Sequence, residues 1–169
     1  QEVLRTPHQP KEIVATSLWL ERHADLLKAL SPQTSIHKVT QTVLEASLTT
    51  VNPDGVASLL HLDALPQTAD RAQFVLALDR LQDPGNLGTL LRTPLAAEVE
   101  AVWLACGADP LSPKVLRASA GAILHLPHRR FGSSEQAAVE QMAEKLECAV
   151  DRGLQVVATV VPGSSAANA

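Results

Sequence analysis

Apolar positions along the chain follow two regimes that meet near residue 70. In the first, residues 11–15 read as a short strand, and Ser17 as the N-cap of a helix striped by Leu18, Leu26, Leu27 and Leu30. Ser31 and Pro32 stop that helix. A second strand over 37–40, a helix over 41–48, a turn over 51–55 and a strand-length apolar run over 56–62 complete a small α/β unit. The polar stretch 63–70, with Pro66, reads as a linker. From Phe74 strand and helix alternate regularly: strand 74–78, helix 86–97, strand 101–105, helix 113–123 capped by Ser112, strand 123–126, helix 134–152 closed by Gly153, and strand 154–161. Such alternation predicts a parallel sheet with helical crossovers.

Composition narrows the function classes. With 169 residues, 46% of them hydrophobic, the chain holds enough apolar surface for one ordinary domain or two small ones. No apolar run approaches the roughly 20 residues that span a bilayer, and there is no signal-peptide pattern, so a cytoplasmic protein is expected. Cys106 and Cys148 lie far apart, without Cys or His partners at metal-ligand spacing. A net charge of −4 argues against nucleic-acid binding through bulk electrostatics, and no Tyr with two Phe and two Trp argues against an aromatic base-stacking platform. Local basic patches remain open. Trp19 and Trp103 read as core residues.

Ligands of open parallel sheets bind at the carboxyl ends of the strands. The loop there with most chemistry is 79–93, which carries Asp83-Pro84-Gly85-Asn86 and, six residues past Asn86, Arg92. Gly85 and Gly88 let backbone approach a ligand, and the helix start offers free N–H groups to an anion. The residues alone leave two readings: Asn86 and Arg92 as ligands of a phosphate or ribose, or Asn86 as a helix cap and Arg92 as a surface ion-pair partner. No dinucleotide fingerprint follows Leu78, and no phosphate-loop lysine is present. His125, His128, Arg129 and Arg130 form the most basic short stretch, read as a phosphate contact or a solvated strand end. A metal at the two histidines lacks a third ligand, so none is expected.

The stretch 79–93 resembles the first motif of the SpoU (TrmH-like) RNA 2′-O-ribose methyltransferases of the SPOUT class, with Asn86 and Arg92 at its two key positions. The resemblance continues through 107–122 and the run 154–160 with Thr159; residues 49–56 are similar to the family's N-terminal RNA-binding unit. It implies residues 1–66 as a substrate-binding-like α/β domain. Residues 70–169 would be the N-terminal part of a parallel-sheet methyltransferase domain of the α/β-knot type, with the knot segment absent. By resemblance Arg92 and Asn86 are catalytic, Thr159 touches the adenosine of S-adenosylmethionine, and Lys114, Arg117 and Ser119 contact RNA. Thr159 reads equally as a sheet residue, and the Lys114 group as a capped, solvated helix start. Structured rRNA or tRNA would be the substrate, the family assembles as a homodimer, and the cofactor pocket would be largely missing from this chain. The alternative is a non-catalytic RNA-binding fragment. Pro94, where the family continues its helix with a small residue, is expected to kink or end the helix just past Arg92.

Overall fold

The computed structural model describes residues 2–50, 52–68 and 71–159. In β1 (Glu12–Thr16) buried Ile13 and Ala15 alternate with half-buried neighbours, the period-two pattern of a strand with one face on a core. It is the centre of a three-stranded sheet, parallel to β2 (Ser35–Val39) with Ile13 opposite Ile36, and antiparallel to β3 (Val56–Leu59) with Ala15 opposite Val56. Leu4, Trp19 and Val56 close the core over Ile13 and Ala15.

The helix expected after Ser17 is two short ones, α1 (Ser17–Arg22) and α2 (Ala24–Leu27). His23 breaks it at φ −120° while stacking on Trp19 with ring centroids 4.3 Å apart. The N-cap is Thr16 rather than Ser17; its hydroxyl accepts the Trp19 N–H at 3.3 Å. Thr40 caps α3 (Gln41–Ser47) in the same way, and α3 packs on β1 and buries Leu44 fully.

The second sheet is wholly parallel, in the order β4 (Val75–Asp79), β5 (Ala101–Ala105), β6 (His128–Phe131). All five residues of β5 are buried, because helices cover both faces of the sheet. On one face Val102 and Leu104 meet Leu87 and Leu91 of α4 (Pro84–Ala96), Val115 of α5 (Pro113–Ala118), Ile123 and Leu126. On the other, Ala101, Trp103 and Ala105 meet Phe131 and Ala138, Met142 and Ala149 of α6 (Glu135–Asp151). Ser134 caps α6 through its hydroxyl, as its position implies.

Three expectations need correction. The apolar run 123–126 is not a strand. Ala120 and Gly121 turn left-handed (φ 48° and 87°), and a 3-10 turn over Ala122–Leu124 buries Ile123 and Leu126 at helical spacing. The third strand falls instead on the basic residues 128–131, at a sheet edge, where charged side chains are common. Residues 154–159 form no strand, so the outer edge of β4 has no partner among the described residues; Val160 and Val161 lie outside them. Finally, Pro94 is buried inside α4, which continues to Ala96 before Ala97 caps it. Its missing N–H leaves the carbonyl one turn back to solvent, on the exposed side at Leu90, where water can take it. Among the described residues no helix is long and apolar enough to cross a membrane.

Candidate functional site

The carboxyl edge of the second sheet is built under strain. Arg80 takes φ 50° directly after β4, and Cys106 and Gly107 take φ 59° and 78° directly after β5. The two turns are stitched together: the Arg80 N–H donates to the Ala105 carbonyl at 2.8 Å, and the Ala108 N–H to the Leu81 carbonyl at 2.8 Å. At 107 only glycine fits, because a Cβ there would collide with the Leu81 carbonyl oxygen. Non-glycine residues in this region cost on the order of 1–3 kcal/mol each and concentrate at functional sites. The Arg80 guanidinium bonds both carboxylate oxygens of Asp79, Oδ2 at 2.9 Å and Oδ1 at 3.2 Å, and lies 3.6 Å from Glu135. The hydrogen-bonded Asp79 charge, with Glu135 adding to it, raises the Arg80 pKa above its usual value.

Helix α4 starts on Asp83, whose carboxylate accepts the Asn86 N–H at 2.7 Å, with Pro84 at the first helical position. The cap is therefore Asp83 and not Asn86. The Asp83-Pro84 pair was the signal in the sequence, since Asp favours the cap and Pro the residue after it. Asn86 is left exposed, and its side-chain amide has no partner among the described residues. Leu87, Gly88 and Leu91 face inward, and Arg92 points to solvent.

Gly88 sets how close α4 lies to α5. A Cβ on it would overlap the Ala118 Cβ and stand 2.9 Å from the Ser119 backbone nitrogen. Arg92 lies four residues beyond Gly88, on the neighbouring stripe of α4, and Lys114 lies four residues before Ala118 on α5. The close contact packs α4 against α5, with Arg92 one turn beyond it on α4 and Lys114 one turn before it on α5. Lys114 and Arg117 are exposed, and none of the three cations has an ion-pair partner among the described residues. The ion-pair reading of Arg92 loses its support.

Ser119 behaves differently from Lys114 and Arg117. It is fully buried, and its hydroxyl donates to the Leu116 carbonyl at 3.0 Å, so it supports the α4–α5 contact from inside. Ser112 precedes α5 as expected, yet its hydroxyl makes no capping bond and is buried without a partner. Thr159 is exposed on the unpaired segment after α6, remote in sequence from the other candidates. His125 ends the 3-10 turn, and His128 and Arg130 sit on β6. Among the described residues no three His, Cys, Asp or Glu side chains are grouped to hold a metal.

The SpoU rRNA Methylase family profile matches residues 73–165. This chain belongs to that family. It is 43% identical over 149 residues to an uncharacterised tRNA/rRNA methyltransferase of Synechocystis, covering 86% of this chain and 51% of the relative. It is 31% identical over 128 residues to the 23S rRNA (guanosine(2553)-2′-O)-methyltransferase RlmP of Bacillus subtilis, covering 75% and 49%. Among solved structures, an AdoMet-bound rRNA methyltransferase from Sinorhizobium meliloti matches with a TM-score of 0.64 at 26% identity, over 88% of this chain and 54% of that one. The chain spans about half the length of the relatives it matches.

S-adenosylmethionine, seen in that neighbour, needs a cradle for its adenosine. Here Thr159 is exposed, and its segment joins no sheet among the described residues. Thr159 by itself supplies no such cradle.

Proposed function

We propose that this chain is the RNA-facing part of an S-adenosylmethionine-dependent RNA 2′-O-ribose methyltransferase acting on structured ribosomal or transfer RNA. The observation that carries the reading is the α4–α5 pair. Its exposed Arg92, Lys114 and Arg117 have no carboxylate partners among the described residues, in a chain whose net charge is −4. Unpaired cations on rigid, closely packed helices suit phosphates, which supply most of the sequence-independent affinity for nucleic acid. Residues 1–66 form the unit that selects RNA by shape, and residues 70–169 belong to the methyltransferase domain. The working assembly is a homodimer in the cytoplasm.

The family's cofactor supplies a methyl group to a ribose oxygen; the residues here handle the acceptor. As the 2′-hydroxyl loses its proton, negative charge builds on oxygen. A guanidinium stays protonated in proteins, so Arg92 does not take that proton. It binds the neighbouring phosphate and stabilises the developing alkoxide. Asn86, held at the helix start by Asp83, orients the ribose. The test is RNA binding by a variant carrying Arg92→Gln, Lys114→Gln and Arg117→Gln. Three lost phosphate contacts lower the slope of log affinity against log salt by roughly 2–3; an unchanged slope refutes the reading.

A second reading has its own support in the exposed Thr159 and the unpartnered edge of β4: residues 1–169 bind RNA but do not hold the cofactor. Calorimetry of this chain with S-adenosylmethionine decides between them. The few hydrogen bonds on offer, about 0.5–1.5 kcal/mol each, do not offset the cost of ordering a ligand, so binding weaker than millimolar is expected. Micromolar binding overturns it.

A further inference from the structure

The basic stretch of the third strand was left without a role by the site above, and the structure gives it a surrounding. The supposed linker packs against the second sheet: Leu65 is only 9% exposed, and Gln67 donates to the Leu65 carbonyl at 3.0 Å. Between this segment and the edge strand β6, with the loop after β5, lies a cleft of about 260 Å³. Leu62 and Leu65 line one wall, and Asp109, Leu111, His128 and Arg130 the other. His128 and Arg130 are two apart on β6 and so share a face of the strand.

The polar groups of the cleft are fixed. Arg130 donates through Nη2 to the Gly107 carbonyl at 3.1 Å, which holds its fork at the mouth while the other guanidinium donors stay available. His128 uses Nδ1 on the Leu126 carbonyl at 3.1 Å, which leaves Nε2 without a partner among the described residues. Asp109 accepts the Leu111 N–H on one oxygen at 2.9 Å and keeps the other. Leu62 is 69% exposed, an apolar surface beside the Arg130 guanidinium. The volume lies just under the range of about 300–1,000 Å³ usual for small-molecule pockets. It is the size for one flat base, not for a cofactor or a helix.

The cleft is continuous with the candidate site through one backbone stretch. Gly107 receives Arg130 from one side, and its neighbour Ala108 bonds Leu81 on the other.

We propose that the cleft receives a single unstacked nucleotide of the RNA, adjacent in the strand to the one presented at Asn86 and Arg92. The phosphate lies on the free guanidinium donors of Arg130. The base rests against Leu62 and Leu111, with an exocyclic amino group donated to the free oxygen of Asp109. The inference rests on the RNA reading above and adds a specificity site to it: recognition of splayed-out bases is the usual route to sequence preference in RNA, and phosphate contacts alone give none.

The test measures anisotropy of an end-labelled transcript of large-subunit ribosomal RNA, and separately of bulk transfer RNA, against wild type, Arg130→Gln and Leu62→Ser across a salt series. Arg130→Gln is expected to weaken binding several-fold and lower the salt slope by about one, the signature of one phosphate contact. Leu62→Ser, at an exposed position where folding is indifferent, is expected to weaken binding several-fold with the slope unchanged. Wild-type affinity in both variants overturns the cleft while leaving the RNA reading intact, provided the Arg92, Lys114 and Arg117 variant still loses binding. Loss in Arg130→Gln without loss in Leu62→Ser overturns base occupancy, since a general surface charge accounts for it. Wild type failing to bind either RNA removes the RNA reading, and the cleft proposal falls with it.

Discussion

Arg92 and Leu91 are chain neighbours on α4 with opposite surroundings, and that contrast separates chemistry from folding. Leu91 is fully buried between β5 and α5, whereas Arg92 is exposed and bonds nothing among the described residues. Leu91→Ala removes buried methyl groups and leaves a cavity, which costs about 2–5 kcal/mol. At about 2–4 °C per kcal/mol for a chain of this size, Tm falls by roughly 4–20 °C. Arg92→Ala touches only surface, so stability changes by no more than about 0.5 kcal/mol and Tm by no more than about 2 °C. Activity runs the other way. Loss of one group that stabilises developing oxyanion charge costs about 2.7–4 kcal/mol, or roughly 10²–10³ in turnover. The assay is ribose methylation of ribosomal RNA by the whole protein, with thermal unfolding of each variant in parallel. Arg92→Ala with full turnover removes Arg92 from the mechanism. A Tm drop equal to that of Leu91→Ala makes the residue structural.

Two further substitutions probe what holds the site. Asp83→Ala deletes the cap of α4 and should cost about 1 kcal/mol of stability, while methylation falls further than the Tm shift explains because Asn86 loses its anchor; equal losses mean that Asn86 has no separate role. Gly88→Val forces α4 off Ala118 and Ser119, an overpacking cost of about 1–3 kcal/mol read by chemical denaturation, and RNA affinity drops with it; a variant as stable as wild type refutes the close helix contact.

Element types were largely legible from the pattern of apolar residues, and β5 coincides with its run because β4 and β6 pair it on both sides. The failures have a common physical source in long-range contact. Residues 123–126 and 154–161 are both apolar runs of strand length. Whether such a run becomes a strand depends on a partner edge, which local sequence does not specify. The first lies after a left-handed Gly121 and folds into a turn. Conversely, His128-Arg129-Arg130 looks unlike a strand until it is placed at an edge, with Arg129 over the Phe131 ring at 5.1 Å. Asn86 and Arg92 were singled out by family resemblance, and the structure leaves both exposed on α4. The burial of Ser119 was not legible, because it follows from how closely Gly88 lets α4 approach. Strain at Arg80 and Cys106 was invisible for the same reason: neither is a residue type that announces a positive φ.

The two edges of the parallel sheet explain why that strain gathers where it does. β6 is guarded by Arg129 and Arg130, while β4 presents Val75 to Leu78 with no charge before Asp79. Guarded edges are meant to stay free and bare apolar ones to be covered. Helices α4 and α5 lie on one face of the sheet and α6 on the other. Since parallel crossovers are right-handed, a connection over the opposite face travels in the opposite direction, from β6 back towards β4. Leu154, just past α6, already packs against the cluster that includes Val75. The helices thus part to opposite faces of the sheet, and where neighbouring connections part in this way a crevice opens at the carboxyl edge. The loop that begins Asp79-Arg80 and ends on the Asp83 cap leaves β4 at that carboxyl edge, and it carries the left-handed Arg80, its tie to Glu135 and the exposed Asn86.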